Sequence, residues 1–121
     1  MDAKVDLHAV LSTFDEAFKP RQIGTYNDNK LLLAKARGAF AWHSHPTTDD
    51  LFVVLAGELR IELRDREDVV LGPGELYCVP RGVEHRPVAD EEAQFLLIEP
   101  EGEPNTGDLV DSEFFTEPER L

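Results

Sequence analysis

The sequence predicts an all-β fold, a barrel or sandwich of short strands, with one amphipathic helix in front of it. Two observations carry this. From Lys30 to Glu99 the chain is a series of short apolar runs rather than helix-length periodic segments. Those runs are separated by strong turn chemistry, above all Gly72-Pro73-Gly74 and Pro80-Arg81-Gly82.

The elements follow in order. Leu7, Val10, Leu11, Phe14, Ala17 and Phe18 recur at helical spacing, with Asp6 placed to cap the start and Pro20 to end the run. Leu31–Ala36 and Ala39–His45 read as strands divided by Gly38, a bulge or bend. Leu51–Ala56 is continuously apolar and stops at Gly57. Leu59, Ile61 and Leu63 alternate with Arg60, Glu62 and Arg64, as a strand with one wet face should. Val69–Leu71, Leu76–Val79 and Phe95–Ile98 complete the series. Residues 101–113 lose periodicity and read as irregular, with Phe114 and Phe115 placed to tie the end down. The organisation is therefore a helix over 1–20, a β-barrel over 28–100 and an acidic tail over 101–121.

Bulk properties narrow the function. The 121 residues are enough for one domain with a real core. Acids outnumber bases 25 to 12, a net charge of −13, so nucleic-acid and membrane-surface roles are disfavoured. About half of that charge lies in the tail, where a solvated surface is the plain reading. No apolar run approaches the ~20 residues of a membrane span, and no signal peptide is visible. With Cys78 alone no intrachain disulfide can form, and a reducing, cytoplasmic location is expected.

His43-Ser44-His45 is the first chemically loaded feature. Side chains two apart on a strand share a face, so both imidazoles can approach one ion. Such neutral nitrogen donors suit Zn, Fe, Mn, Ni or Cu without choosing among them. His8, alone on the helix, reads as a surface residue.

From Gly38 the chain reads G-x4-H-x-H-x4-D-x6-G, ending at Gly57, and from Gly74 it reads G-x5-P-x-G-x2-H-x3-A. These resemble the two signature motifs of the cupin superfamily, in the texture of small single-domain bacterial cupins loosely labelled mannose-6-phosphate isomerase-like. The resemblance covers 38–89 by motif and about 30–99 by strand pattern. It implies a double-stranded β-barrel (jelly roll) holding one divalent transition metal through His43, His45, Asp50 and His85. Three departures stand out. The first motif is one residue short, Asp50 replaces a glutamate with one methylene less reach, and Ala89 replaces an asparagine. Gly57, Gly74, Pro80 and Gly82 need no functional role beyond closing turns and delivering His85.

If Asp50 points inward, so do Phe52 and Val54, and parity from His43 brings Ala41 and Ala39 to the same face. The expected pocket is apolar, lined by Ala41, Phe52 and Val54, with small residues leaving room for a small organic ligand. Trp42 then lies outside with Leu51, Val53 and Leu55, which suggests a homodimer interface. Arg81 and Glu84 flank a turn and read as solvent-facing, and Cys78 as a buried, inert thiol, with its choice of face against Tyr77 open. Three histidines and a carboxylate leave open positions on a six-coordinate ion, as catalytic sites do. Two functions fit: a metal-dependent enzyme on a small metabolite (oxygenase, decarboxylase, lyase or isomerase), or a non-catalytic small-molecule or metal-binding module.

Overall fold

The computed structural model describes residues 1–102, 104, 107 and 119–120, the last two by backbone alone. One short helix, α1 (Leu7–Leu11), precedes eight strands: β1 (Arg21–Tyr26), β2 (Asn29–Ala39), β3 (Asp50–Ala56), β4 (Leu59–Leu63), β5 (Val69–Leu71), β6 (Leu76–Val79), β7 (His85–Pro100) and β8 (Glu119–Arg120). All pairings are antiparallel except the short β1–β8 contact.

The long strand β7 is the spine of the barrel. One edge pairs with β2 from Ala39↔Val88 to Asn29↔Pro100. The other edge pairs first with β4, through His85–Val88, and then with β3, through Gln94–Ile98. A strand that changes partner along one edge must bend between them. The bend falls where the β2 register slips between Ala36 and Gly38, opposite Ala93 and Ala89. Gly38 takes φ +82° there, which a side chain would resist. Gly57, at φ +76°, lies so close to the Glu92 carbonyl that an added Cβ would collide with it.

The inward positions of these strands form one core, including Leu32, Ala34, Phe52, Val54, Leu59, Ile61, Val79, Phe95 and Leu97. Leu11, Ile23 and Leu33 form a second cluster on the outside of the barrel, packed by Val5, Leu7, Val10 and Phe14.

Three expectations are corrected. The helix ends at Leu11, not at Pro20, because Ser12 and Thr13 donate their hydroxyls to the Ala9 and Val10 carbonyls and close the turn. Asp6 does cap it, accepting from the Ala9 N–H at 3.1 Å. The later apolar residues of the pattern serve different surfaces: Phe14 joins the outer cluster, while Phe18, at φ +59°, turns into the barrel. Strand β1 was not expected, and β7 is far longer than Phe95–Ile98. Cys78 is exposed on β6 rather than buried, and Tyr77 takes the inner side. Phe114 and Phe115 lie outside the described residues.

Candidate metal centre

Backbone pairing brings the two sequence motifs together. His43 and His85 form an isolated antiparallel bridge, with His43 N–H donating to the His85 carbonyl at 3.0 Å and the reverse bond at 2.8 Å. The Pro80-Arg81-Gly82 turn is tied to the first motif by Gly82 N–H donating to the His45 carbonyl at 2.9 Å. Asp50 enters as the first residue of β3, paired with Val79. One ligand atom from each of His43, His45, Asp50 and His85 lies within 4.8 Å of every other, and all four side chains are buried.

The donor set is oriented for a cation. His43 and His85 each donate Nδ1–H to a backbone carbonyl two residues back, Ala41 at 2.9 Å and Val83 at 2.8 Å. With Nδ1 so engaged, Nε2 is the ring nitrogen left to take a metal ion. Asp50 Oδ2 stands 3.0 Å from His85 Nε2 and 3.3 Å from His45 Nε2. An imidazole nitrogen and a carboxylate oxygen this close share a cation between them, either a proton, as in the hydrogen bond from His85 Nε2 to Asp50 Oδ2, or a metal ion. Two ligands at right angles, each about 2.1 Å from one ion, are themselves about 3.0 Å apart, which matches this spacing. Asp50 Oδ1 is buried with no hydrogen-bond partner among the described residues, a further acceptor for a cation. The residues therefore fit a divalent metal, and Asp50 reaches the cluster despite its short arm.

The electrostatics agree. Burial, with the neighbouring His85, pushes the His43 pKa down to about 4, so the ring is neutral at physiological pH and free to ligate. Burial alone would raise the Asp50 pKa. Hydrogen bonding and charge from His45 and His85 outweigh it and hold the carboxyl below its usual range.

A small cavity opens beside the cluster. It is lined by Phe18, Pro20, Phe40, Phe52, Phe95 and Leu97, among others, with His43, Asp50 and Glu99 as its ionisable side chains. The space open to the centre of a water-sized sphere is about 30 Å³, enough for two or three waters, since one needs roughly 10–15 Å³. This corrects the expected pocket in two respects. Its walls are mainly phenylalanine rings, with Ala34 as the one alanine among the lining residues. Phe52 lines it, but Val54 sits deeper in the core, and Ala41 is replaced by Phe40. Parity fails because β2 ends at Ala39 and residues 40–42 lie outside any strand, leaving Ala39 exposed and Phe40 buried. Glu99 and Phe40 escaped sequence reasoning. A charge at the inward position of the Phe95, Leu97, Glu99 alternation was the available signal for the first.

The remaining candidates lie outside the cavity. Arg81 bonds Asp49, and Glu84 pairs with Arg64. Trp42 is half-buried, with the Arg64 and Arg86 guanidinium carbons 4.2 and 5.0 Å from its ring centroid. It does not share a patch with Leu55, which packs against the α1 cluster. Partial burial, then Asp49 and Asp50, push the Cys78 thiol pKa up. No helix among the described residues is long and apolar enough to cross a membrane.

Fold and site together define a small antiparallel β-barrel with a buried three-histidine, one-carboxylate cluster that could hold a metal ion. The cupin domain model matches residues 31–99, and the chain belongs to the cupin family. It is 36% identical over 86 residues to the uncharacterized protein YdbB of Bacillus subtilis (strain 168), covering 71% of this chain and 76% of that one. The crystal structure of a cupin-2 domain containing protein from Shewanella frigidimarina NCIMB 400 matches with a TM-score of 0.77 and 41% identity, over 79% of this chain and 93% of that one. Hydroquinone 1,2-dioxygenase from Sphingomonas sp. TTNP3, at 17% identity and a TM-score of 0.70 over 80% of this chain and 73% of that one, shares the fold.

Proposed function

We propose that this cupin is a metal-dependent enzyme acting on a small organic metabolite, with oxygenase chemistry the first class to test. One observation carries the reading: a buried set of three histidines and one carboxylate at the side of an apolar cavity. Closed structural sites bury their ion on all sides, whereas catalytic sites keep an open approach. A bound divalent ion would supply Lewis acidity and a place for a substrate oxygen. The chain's own residues do the rest. The Ala41 and Val83 carbonyls orient the His43 and His85 rings, and the Phe18, Phe40, Phe52 and Phe95 rings exclude bulk water. Hydroquinone 1,2-dioxygenase supports trying oxygen chemistry first, as a protein of the same fold.

The test is O2 consumption by the Fe(II)-loaded protein against a panel of small enols, diketones, thiols and keto acids. Substrate-dependent uptake that is lost in His85→Ala is the expected result. Saturable ligand binding with no turnover, of O2 or otherwise, would instead make the chain a binding module.

We also propose a homodimer. Leu76, 62% exposed, and Cys78 on β6 continue across Val53 and Leu51 on β3 to Ile98 on β7, an apolar strip that a second copy would cover. A clean monomer by light scattering at micromolar concentration defeats this idea.

A further inference from the structure

Gly107 belongs to the acidic segment after Pro100, whose charge suggests a solvated surface, yet it is buried. It takes φ +57°, and its N–H donates to the Pro104 carbonyl at 3.0 Å. A Cβ added to it would overlap the Ser44 carbonyl oxygen and stand 3.3 Å from His43 Cδ2. Glycine is thus needed here for its backbone angle and again for an approach that leaves no room for a side chain. Gly102, in the same segment, takes φ +84°, but a Cβ there would meet nothing within 4 Å. Of these two glycines only Gly107 is crowded.

The surface that Gly107 meets carries two of the four metal-ligand candidates. The His43 carbonyl accepts from the His85 N–H at 2.8 Å, and the His45 carbonyl from the Gly82 N–H at 2.9 Å. Both bonds tie His43-Ser44-His45 to the second motif. The Ser44 carbonyl, between them, faces Gly107 instead. The tripeptide lies outside the named strands, with His43 in an isolated bridge, so no continuous ladder fixes it. His43 Cδ2 is the ring carbon bonded to Nε2, while Nδ1 is engaged by the Ala41 carbonyl. Gly107 therefore borders the ligating edge of that ring.

We infer that Gly107 is a positioning residue of the metal centre. It backs Ser44 and the His43 ring edge on the side away from His85 and Gly82, and so holds the His43 and His45 imidazoles in ligating orientation. Groups that orient ligands in this way are worth about ten- to a hundredfold in metal affinity. This role rests on the metal reading above, and it gives the C-terminal segment a part in that site.

The experiment uses the full chain and Co(II), whose visible spectrum reports the ligand geometry without any turnover. Gly107→Ala, Gly107→Asn and Gly102→Ala are compared with the wild type, their folds checked by circular dichroism. Both Gly107 variants should bind Co(II) about tenfold or more weakly and show an altered spectrum. Gly102→Ala should match the wild type in both. Asparagine tolerates positive φ but carries a Cβ, so it separates close approach from backbone strain. Wild-type affinity and spectrum in both Gly107 variants overturn the inference. So does recovery in Gly107→Asn, or an equal loss in Gly102→Ala. Should the Gly107 variants not fold, the labelled wild type decides by NMR: the Gly107 resonance should shift or broaden when Co(II) replaces Zn(II), and an unmoved resonance is equally fatal. A chain that takes up no Co(II) removes the metal reading and this role with it, an outcome told apart by the missing spectrum.

Discussion

The acid sensitivity of the metal-free protein should trace to His43. Its pKa is about 6.5 as a free side chain and about 4 in the fold, mainly because burial disfavours the imidazolium. Between those values the unfolded chain binds a proton that the native state refuses, so stability falls as pH falls. The contribution is fully present above about pH 6.5 and is lost by about pH 4. A shift of 2.5 units at 1.36 kcal/mol each corresponds to about 3 kcal/mol. Asp50 acts with the same sign but lower down, since its folded pKa is held below the usual range and its share is lost only at more acid pH. The assay is urea unfolding in chelator at a series of pH values from 7.5 to 4. His43→Gln removes the titrating ring and should flatten the curve over this window by about 3 kcal/mol. Parallel curves for the two proteins would refute the reasoning.

Three further outcomes are expected. Gly57→Ala should destabilise by well over about 1 kcal/mol, because its φ of +76° is compounded by a collision with the Glu92 carbonyl. Gly74→Ala, at φ +84° but in open space, should cost only about 1 kcal/mol, and equal midpoint shifts in denaturant for the pair would contradict this. Asp50→Asn removes the only anionic donor of the cluster and should weaken metal binding about tenfold or more, as competition with a chromogenic chelator would measure. Alkylation of Cys78 by iodoacetamide should keep accelerating above about pH 9, since its raised pKa leaves little thiolate at neutrality; a plateau below pH 8 would show an activated thiol instead.

The cluster was legible because its residues fall within two short motifs. His43-Ser44-His45, Asp50 and the Pro80-x-Gly82 turn before His85 stand at spacings that resemble the cupin motifs, and it is that resemblance which joined them into one site. The cavity wall was illegible for a different reason. Parity holds only along a strand, and β2 ends at Ala39, so Phe40 lies inward where Ala41 was expected. Strand β1 was hidden by Arg21 and Gln22, polar residues that the fold buries, Arg21 bonding the Lys19 carbonyl and Glu16. In β7, Asp90-Glu91-Glu92 looks like a turn. In the fold these residues sit at the bend where the strand exchanges β4 for β3, and Asp90 and Glu91 face outward there. Apolar periodicity over 7–18 likewise recorded which side chains are covered, but not that two different surfaces cover them.

The most direct test of the account is metal stoichiometry by elemental analysis of the purified chain, beside a His43→Ala, His85→Ala double variant whose fold is checked by circular dichroism. The wild type should hold about one equivalent of a first-row transition metal and the folded double variant almost none. Metal retained by the variant, or a folded wild type that takes up none from Fe(II), Mn(II), Ni(II), Cu(II) or Zn(II), would contradict it.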